Sequence, residues 1–384
     1  MKYVDEFRDP AKAKSLVKAI HDLAKDIEIT QQRPLQIMEF CGGHTHTIFR
    51  YGIEQMLPNS IELVHGPGCP VCVLPMGRVD DCVALAERPN VIFTTFGDAM
   101  RVPGSRKSLL QAKADGADIR MVYSPLDALN IARQNPDREV IFFALGFETT
   151  MPSTALTVLQ AQQESMTNFS LFCNHITTVP TIKAILDSPD MQIDGFLAPG
   201  HVSMVVGEQP FHFVAETYQK PIVITGFEPL DILQSIWMLL KQLQDKRICL
   251  ENQYARIVAK QGNSPGMDAI ATVFELREFF EWRGLGSIDH SGIRMRDAFA
   301  TYDAEKKFSV PNLNIADPKS CQCGEVLKGV IRPWECKVFG TQCTAETPLG
   351  ALMVSSEGAC AAYYNFGNLP ELLARKNTQE AVSP

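Results

Sequence analysis

The chain has 384 residues, of which 45% are hydrophobic and 21% are charged, and its formal net charge is −8. This composition is typical of a globular protein and does not favour disorder. Lysine and arginine are scattered through an acidic chain, which disfavours binding to nucleic acid or to an anionic membrane surface. The charged amino terminus lacks the apolar core of a signal peptide, and no later segment has the apolar length of a membrane span. We therefore expect a cytoplasmic protein.

Eight short apolar segments between residues 35 and 225 have β-strand character, and each precedes a turn and a helix-length segment. In chain order they read LQIMEF, IELVH, VIFTT, IRMVY, VIFFAL, SLFC, GFLA and IVIT. Strands that alternate with helices predict an α/β fold with parallel sheets. Eight units can close as one barrel, or divide after the fourth strand into two doubly wound sheets that face a cleft, and the spacing does not decide between these folds.

The turns after these strands hold the residues best suited to chemistry, because ligands bind at the carboxyl ends of parallel strands. Candidate supporting partners or proton carriers in these turns are Asp98, Glu148, His175, His201 and Glu228. For each of these residues taken alone, helix capping or turn formation is the simpler explanation.

The eleven cysteines indicate two chemical centres rather than a disulfide framework, since a chain of this size in a reducing compartment is not stapled by disulfides. Cys41, Cys69 and Cys72 form an early group, whereas Cys321, Cys323, Cys336, Cys343 and Cys360 form a late one. The late group lies in a stretch rich in glycine and proline, where a bound metal centre would supply order that a small core cannot.

Cys41 ends the first strand and begins the turn Cys41-Gly42-Gly43-His44, so its sulfur is expected near free amides at the start of the next helix. Such amides favour a thiolate. A thiolate and an imidazole three residues apart can meet one metal ion, with iron, copper and zinc all open. The alternative is a buried core cysteine beside an ordinary turn histidine.

Cys69 and Cys72 form a C-x-x-C motif after the second strand, a spacing that suits either a reversible disulfide or two metal ligands. A structural zinc site normally needs a second such pair nearby, and the local sequence has none. We therefore prefer a redox role for this pair.

Four late cysteines, separated by long and unequal gaps, fit a 4Fe-4S cluster better than zinc, which usually takes paired C-x-x-C motifs. These residues are Cys323, Cys336, Cys343 and Cys360. Cys321 is left out, because its separation from Cys323 by one residue makes it awkward for both to hold the same cluster. Glu357 is a candidate to protonate or gate the cluster.

Several motifs together resemble the HypD family of nickel-iron hydrogenase maturation proteins. They are CGGHTH from Cys41, GPGCPVC from Gly66, GFETT from Gly146, PGHVS from Pro199, GFEPLD from Gly226, CGEVLKG from Cys323 and MVSSEGACAAYY from Met353. The resemblance implies two α/β domains that face a cleft, plus a smaller carboxyl-terminal domain that carries a 4Fe-4S cluster. We accordingly divide the chain into residues 1–135, with Cys41 and the Cys69/Cys72 pair, 136–240 as the second α/β domain, and 241–384 as connecting helices and the cluster domain.

The resemblance also implies partners and roles. A HypC-type chaperone and a HypE-type cyanide donor would work with this chain to assemble an iron that carries two cyanides and one carbon monoxide. Cys41 would bind that iron with support from His44, Cys69 and Cys72 would cycle between dithiol and disulfide, and the cluster would feed electrons toward the cleft. Two other hypotheses remain: a free-standing thiol-disulfide oxidoreductase that uses Cys69 and Cys72, and a barrel hydrolase with zinc at the strand ends.

Overall fold

The protein is described by a computed structural model that covers residues 4–28, 33–189 and 191–368, together with residues 370 and 372. All eight predicted strands are present in it, with bounds that differ from the predicted ones by at most two residues. They are β1 (Leu35–Glu39), β2 (Ile61–His65), β3 (Val91–Thr95), β4 (Ile119–Met121), β5 (Glu139–Gly146), β6 (Phe169–His175), β7 (Gly195–Pro199) and β8 (Ile222–Thr225). A short strand, β9 (Leu250–Asn252), follows them.

These strands form two open parallel sheets. The first sheet has the order β2-β1-β7-β8-β9, and the second has the order β4-β3-β5-β6. Every residue of β3, β6, β7 and β8 is buried, as expected for parallel strands covered on both faces. The α/β prediction is confirmed, whereas the single barrel is wrong, because the strands divide between two sheets.

The grouping of strands differs from the sequence-based one. Strands β1 and β2 pair with β7 and β8, and the second sheet is built from the segment between them, so the sheets do not follow a division at residue 135. In the register of β1, Ile37 lies beside Leu63 of β2 and Gly195 of β7. Such pairing joins segments far apart in sequence, and local apolar patterns carry no information about it.

Helices cover both sheets. They are α1 (Pro10–Glu28), α2 (Gly42–Arg50), α3 (Ile53–Met56), α4 (Met76–Ala86), α5 (Leu109–Ala114), α6 (Pro125–Gln134), α7 (Met151–Gln163), α8 (Thr178–Leu186), α9 (Gly200–Val206), α10 (His212–Glu216), α11 (Pro229–Gln244), α12 (Ser264–Val273), α13 (Ala304–Lys307), α14 (Cys323–Leu327) and α15 (Ala359–Phe366). Among the residues so described, no helix is both long and apolar enough to cross a membrane.

The region after α12 contains two small antiparallel pairs rather than further parallel strands. Strand β10 (Phe274–Leu276) pairs with β13 (Ile293–Met295), and β11 (Phe279–Trp282) pairs with β12 (Gly286–Asp289). The carboxyl-terminal segment then returns to the first sheet, where α14 contacts β2 and α15 contacts α2. This return places the late cysteines close to the turn that begins with Cys41.

Candidate functional site

A cavity of about 510 Å³ lies where the carboxyl ends of the two sheets meet. Its walls come from both sheets and from the carboxyl-terminal segment, and they include Cys41, Cys69, Asp98, Thr150, His201 and Glu357. Polar groups thus gather at strand ends, as the turn residues predict. We refer to this cavity as the cleft.

Cys41 is the N-cap residue of α2 and is buried at the edge of the cleft. The amides of Gly43 and His44 hydrogen-bond to its sulfur, but burial and the nearby charge of Glu39 outweigh them and raise the pKa of the thiol. The amides predicted to favour a thiolate are therefore present, although the thiol of the free protein stays protonated. An ion that binds Cys41 must displace this proton.

Glu39 lies beneath Cys41 and is fully buried. Its carboxylate accepts hydrogen bonds from the Cys41 amide at 2.7 Å, from the Thr45 hydroxyl and from His65 Nδ1 at 2.8 Å. These bonds fix the start of α2 to the end of β1 and so position the Cys41 sulfur. Sequence reasoning missed Glu39, although a charged residue within the apolar strand LQIMEF was the available signal.

His44 does not line the cleft. Its Nε2 lies 3.0 Å from the carbonyl oxygen of Thr225, to which it donates, and its buried Nδ1 has no hydrogen-bond partner in the described part of the chain. The imidazole stacks on Phe227 with 4.7 Å between ring centroids, and His201 stacks on Phe227 at 3.6 Å. Phe227 therefore separates the two imidazoles, and only His201 faces the cavity.

Cys69 and Cys72 form a disulfide with a Cα–Cα distance of 5.2 Å, and both residues are buried. The loop that carries them lies directly against Cys41, since the Gly42 amide donates to the Gly68 carbonyl oxygen at 3.1 Å. A Cβ atom on Gly68 would lie 2.4 Å from the Cys41 nitrogen, so only glycine permits this approach. The early cysteines thus form a single group, of which Cys41 and Cys69 line the cleft.

Asp98 and His201 are the two candidate turn residues that lie at the cleft, and Glu357 lies there as well. Asp98 accepts a hydrogen bond from the Ser355 hydroxyl at 3.2 Å, which ties the second sheet to the carboxyl-terminal segment. Glu357 packs on Gly42 rather than at the late cysteines, and burial raises the pKa of its carboxyl group, with Asp98 and Glu39 adding to the effect.

The other three candidates have structural partners. Glu148 accepts two hydrogen bonds from Thr178 at the start of α8. His175 is buried and bonds to Thr154 at 3.1 Å, and Glu228 pairs with Arg8. Helix capping and pairing with other side chains account for these three residues.

The late cysteines line one small, mostly apolar cavity in the carboxyl-terminal segment. Its walls contain Cys321, Cys323, Cys336, Cys343 and Cys360, together with Val326, Val338, Phe339, Gly350 and Met353. The Leu349 amide donates to the Cys343 sulfur at 3.4 Å. Apart from Cys321, these cysteines are buried.

No group of three or more His, Cys, Asp or Glu residues in the described ranges is arranged to hold a single metal ion. The late cysteines nevertheless supply a donor set chemically suited to an iron-sulfur cluster, which holds its ligands farther apart than one ion does. The apolar walls and the amide at Cys343 agree with that chemistry.

The two cysteine groups are joined by one short segment, Ser355 to Cys360. Glu357 packs on the turn after Cys41, and a Cβ atom on Gly358 would lie 3.0 Å from the Cys72 sulfur. Two residues later, Cys360 lines the late cavity. Along the chain, this short segment therefore leads directly from the cleft to the late cysteine cavity.

Comparison with known proteins identifies the family. The family model described as "HypD: Hydrogenase formation hypA family" matches residues 11–367. A relative from Rhodobacter capsulatus, named hydrogenase maturation factor HypD, is 59% identical over 96% of this chain and 98% of its own length. The protein of the same name from Escherichia coli is 52% identical over 95% of this chain and 98% of its own length. The chain belongs to the HypD family.

Every family motif quoted from the sequence lies in or beside the matched range, and most of them border the cleft or the late cavity. A third HypD protein, from Cupriavidus necator, is 48% identical over 97% of this chain and 99% of its own length. The resemblance inferred from motifs is therefore confirmed over nearly the whole chain.

Proposed function

We propose that this HypD family member is a hydrogenase maturation factor that acts as an iron-sulfur redox scaffold. With a HypC-type chaperone and a HypE-type cyanide donor, it assembles the Fe(CN)2CO moiety of the nickel-iron hydrogenase active site in the cleft. Family membership supports the maturation role. The observation that carries the mechanism is the short connection from the cleft cysteines to the late cysteine cavity through Gly358 and Cys360.

Cleft chemistry needs electrons, because cyanide that arrives as a thiocyanate on a donor must leave as cyanide. Cleavage of the sulfur-carbon bond consumes two electrons and one proton and returns the donor thiol. As a dithiol, Cys69 and Cys72 supply the two electrons and become a disulfide. Of the two protons that they give up, one goes to the donor thiol and the other is released. The disulfide present in the structure is the oxidised end of this cycle.

Each further cyanide requires that the disulfide be reduced again. A 4Fe-4S cluster held by Cys323, Cys336, Cys343 and Cys360 would supply electrons one at a time. The chain's own contribution is the path of the segment that leads to Cys360, which passes near Cys72: a Cβ atom on Gly358 would lie 3.0 Å from the Cys72 sulfur. Cys41 binds the substrate iron as a thiolate after loss of its proton, and Glu39 orients its backbone.

A free-standing thiol-disulfide oxidoreductase is the alternative, and the disulfide is the feature that favours it. Burial weighs against it, since Cys69 is 3% exposed and Cys72 is 1% exposed. A generic disulfide substrate needs access to one sulfur. Turnover of such a substrate without a partner protein would establish this alternative.

The first experiment measures iron, acid-labile sulfide and electronic absorption on anaerobically purified protein. We expect a cluster in the wild type and in Cys82→Ala, a buried cysteine outside both centres, and its loss in Cys336→Ala. Zinc without sulfide would refute the redox scaffold. In a second experiment, Cys41→Ala should lose partner binding and substrate iron, whereas the control Cys249→Ala should retain both; equal retention would contradict the role of Cys41.

A further inference from the structure

Cys321 shares the late cavity with the four predicted cluster ligands. Its sulfur lies 3.0 Å from that of Cys323, within hydrogen-bond distance, and both side chains line the same walls. The two residues differ mainly in exposure, since Cys323 is buried and Cys321 is half-buried. The one-residue spacing makes their joint use awkward, but it gives no reason to choose one over the other.

The opposite wall does not distinguish the two sulfurs either. A Cβ atom on Gly350 would lie 2.5 Å from the Cys321 sulfur and 2.5 Å from the Cys323 sulfur. Both sulfurs therefore reach the same point of the cavity. Gly350 is the residue that leaves room for them there.

Two sulfurs in hydrogen-bond contact are too close to bind two corners of a cuboidal cluster, whose cysteine ligands stand farther apart. From this geometry we infer that Cys321 and Cys323 are interchangeable ligands of a single corner, while Cys336, Cys343 and Cys360 hold the others. This inference rests on the proposed function. Either Cys321 or Cys323 would hold iron as a thiolate, and an exchange between them would pass one proton from the incoming sulfur to the outgoing one, so the net charge would be unchanged.

The local chain permits such an exchange. Cys321 lies in the loop before α14, with its amide bonded to the Pro318 carbonyl oxygen, and Cys323 begins α14.

The test compares wild-type protein with Cys321→Ala, Cys323→Ala, the double variant, and Cys336→Ala as the control for ligand loss. Iron and sulfide per chain are measured after anaerobic purification, with electron paramagnetic resonance of the reduced protein. We expect both single variants to keep the cluster. In Cys323→Ala the electron paramagnetic resonance spectrum should differ from that of the wild type, because Cys321 then holds the corner. The double variant should lose the cluster as completely as Cys336→Ala.

Loss of the cluster in either single variant, with wild-type far-ultraviolet circular dichroism, overturns the inference and leaves the proposed function intact. Absence of sulfide from the wild type overturns the proposed function as well. If Cys323→Ala does not fold, Cys323→Val keeps an apolar side chain of similar size that, unlike serine, cannot bind iron. When Cys321→Ala is added to this variant, the cluster must disappear. If the cluster remains, a group other than these two cysteines holds the corner and the inference is wrong.

Discussion

Arg78 connects α4 to β6 of the second sheet and to α13, and its replacement should destabilise the protein strongly. It lies on α4, next to the loop of Cys69 and Cys72, and is buried. Its guanidinium donates to Asn174 of β6 at 2.6 Å and to Glu305 of α13, and it stacks 4.3 Å above the Phe172 ring.

The expected cost follows from the charges left behind in Arg78→Met. Asp81 is fully buried, and burial raises the pKa of its carboxyl group even with Arg78 present. Burial would also raise the pKa of Glu305, but Arg78 and Arg277 hold it below its ordinary value. Breaking a buried charge pair by removing one partner costs about 3–5 kcal/mol. We expect a loss of this size in the free energy of unfolding.

The assay is urea unfolding at pH 7, followed by tryptophan fluorescence and circular dichroism, because coincident transitions are needed to define one free energy. The control is Arg133→Met. Its guanidinium pairs with Glu164, both side chains are about one third exposed, and such a surface pair contributes about 0–1 kcal/mol. If the two variants differ by less than about 1 kcal/mol, the interpretation of Arg78 as a buried connection between α4, β6 and α13 is refuted.

Two further predictions concern the cleft and the response to acid. Gly68→Ala should displace the Cys41 backbone and change the rate at which the Cys41 thiol reacts with a maleimide. The control is Gly195→Ala, whose added Cβ would make ordinary contacts and should leave that rate unchanged. Equal rates in the two variants would contradict the close approach of Gly68 to Cys41. Burial lowers the pKa of His175 to about 4, so the unfolded state binds more protons between pH 6.5 and 4 and stability falls as the pH drops through this range. His175→Gln should remove about 2 kcal/mol of the loss between pH 7.5 and 5, and an unchanged loss in this variant would refute the assignment to His175.

Strand positions were predictable from sequence, but strand partners were not. Segments such as VIFTT and IELVH are recognisable as strands because apolar and β-branched residues lie between turns, and both are strands with the predicted bounds. Which strands pair depends on contacts between distant segments, as when Met38 of β1 lies beside Phe196 of β7. The periodicity of apolar residues within one segment carries no information about such contacts.

The site shows the same division between local and distant information. Cys41 and Cys69 lie at the cleft because each follows a parallel strand, a relation visible in the sequence. The roles of Glu39 and Phe227 depend on which segments meet, and no pattern gave them. Glu357 precedes Cys360 in sequence and was assigned to the late cysteines, yet its side chain points to Gly42.

The different positions of Glu357 and Cys360 follow from where α15 begins. Gly358 is the N-cap residue of that helix, so residues before it continue the loop along the cleft, and residues after it turn into the late cavity. A Cβ atom at Gly358 would lie 2.3 Å from the Leu352 carbonyl oxygen, so the turn cannot open to admit a side chain without moving Leu352. Because Leu352 lies between two residues of the cavity wall, Gly350 and Met353, any movement of this turn changes both cysteine centres together. The close packing around this glycine turn therefore places the Cys72 sulfur and the late cavity on either side of one short segment, the path across which we propose electron transfer.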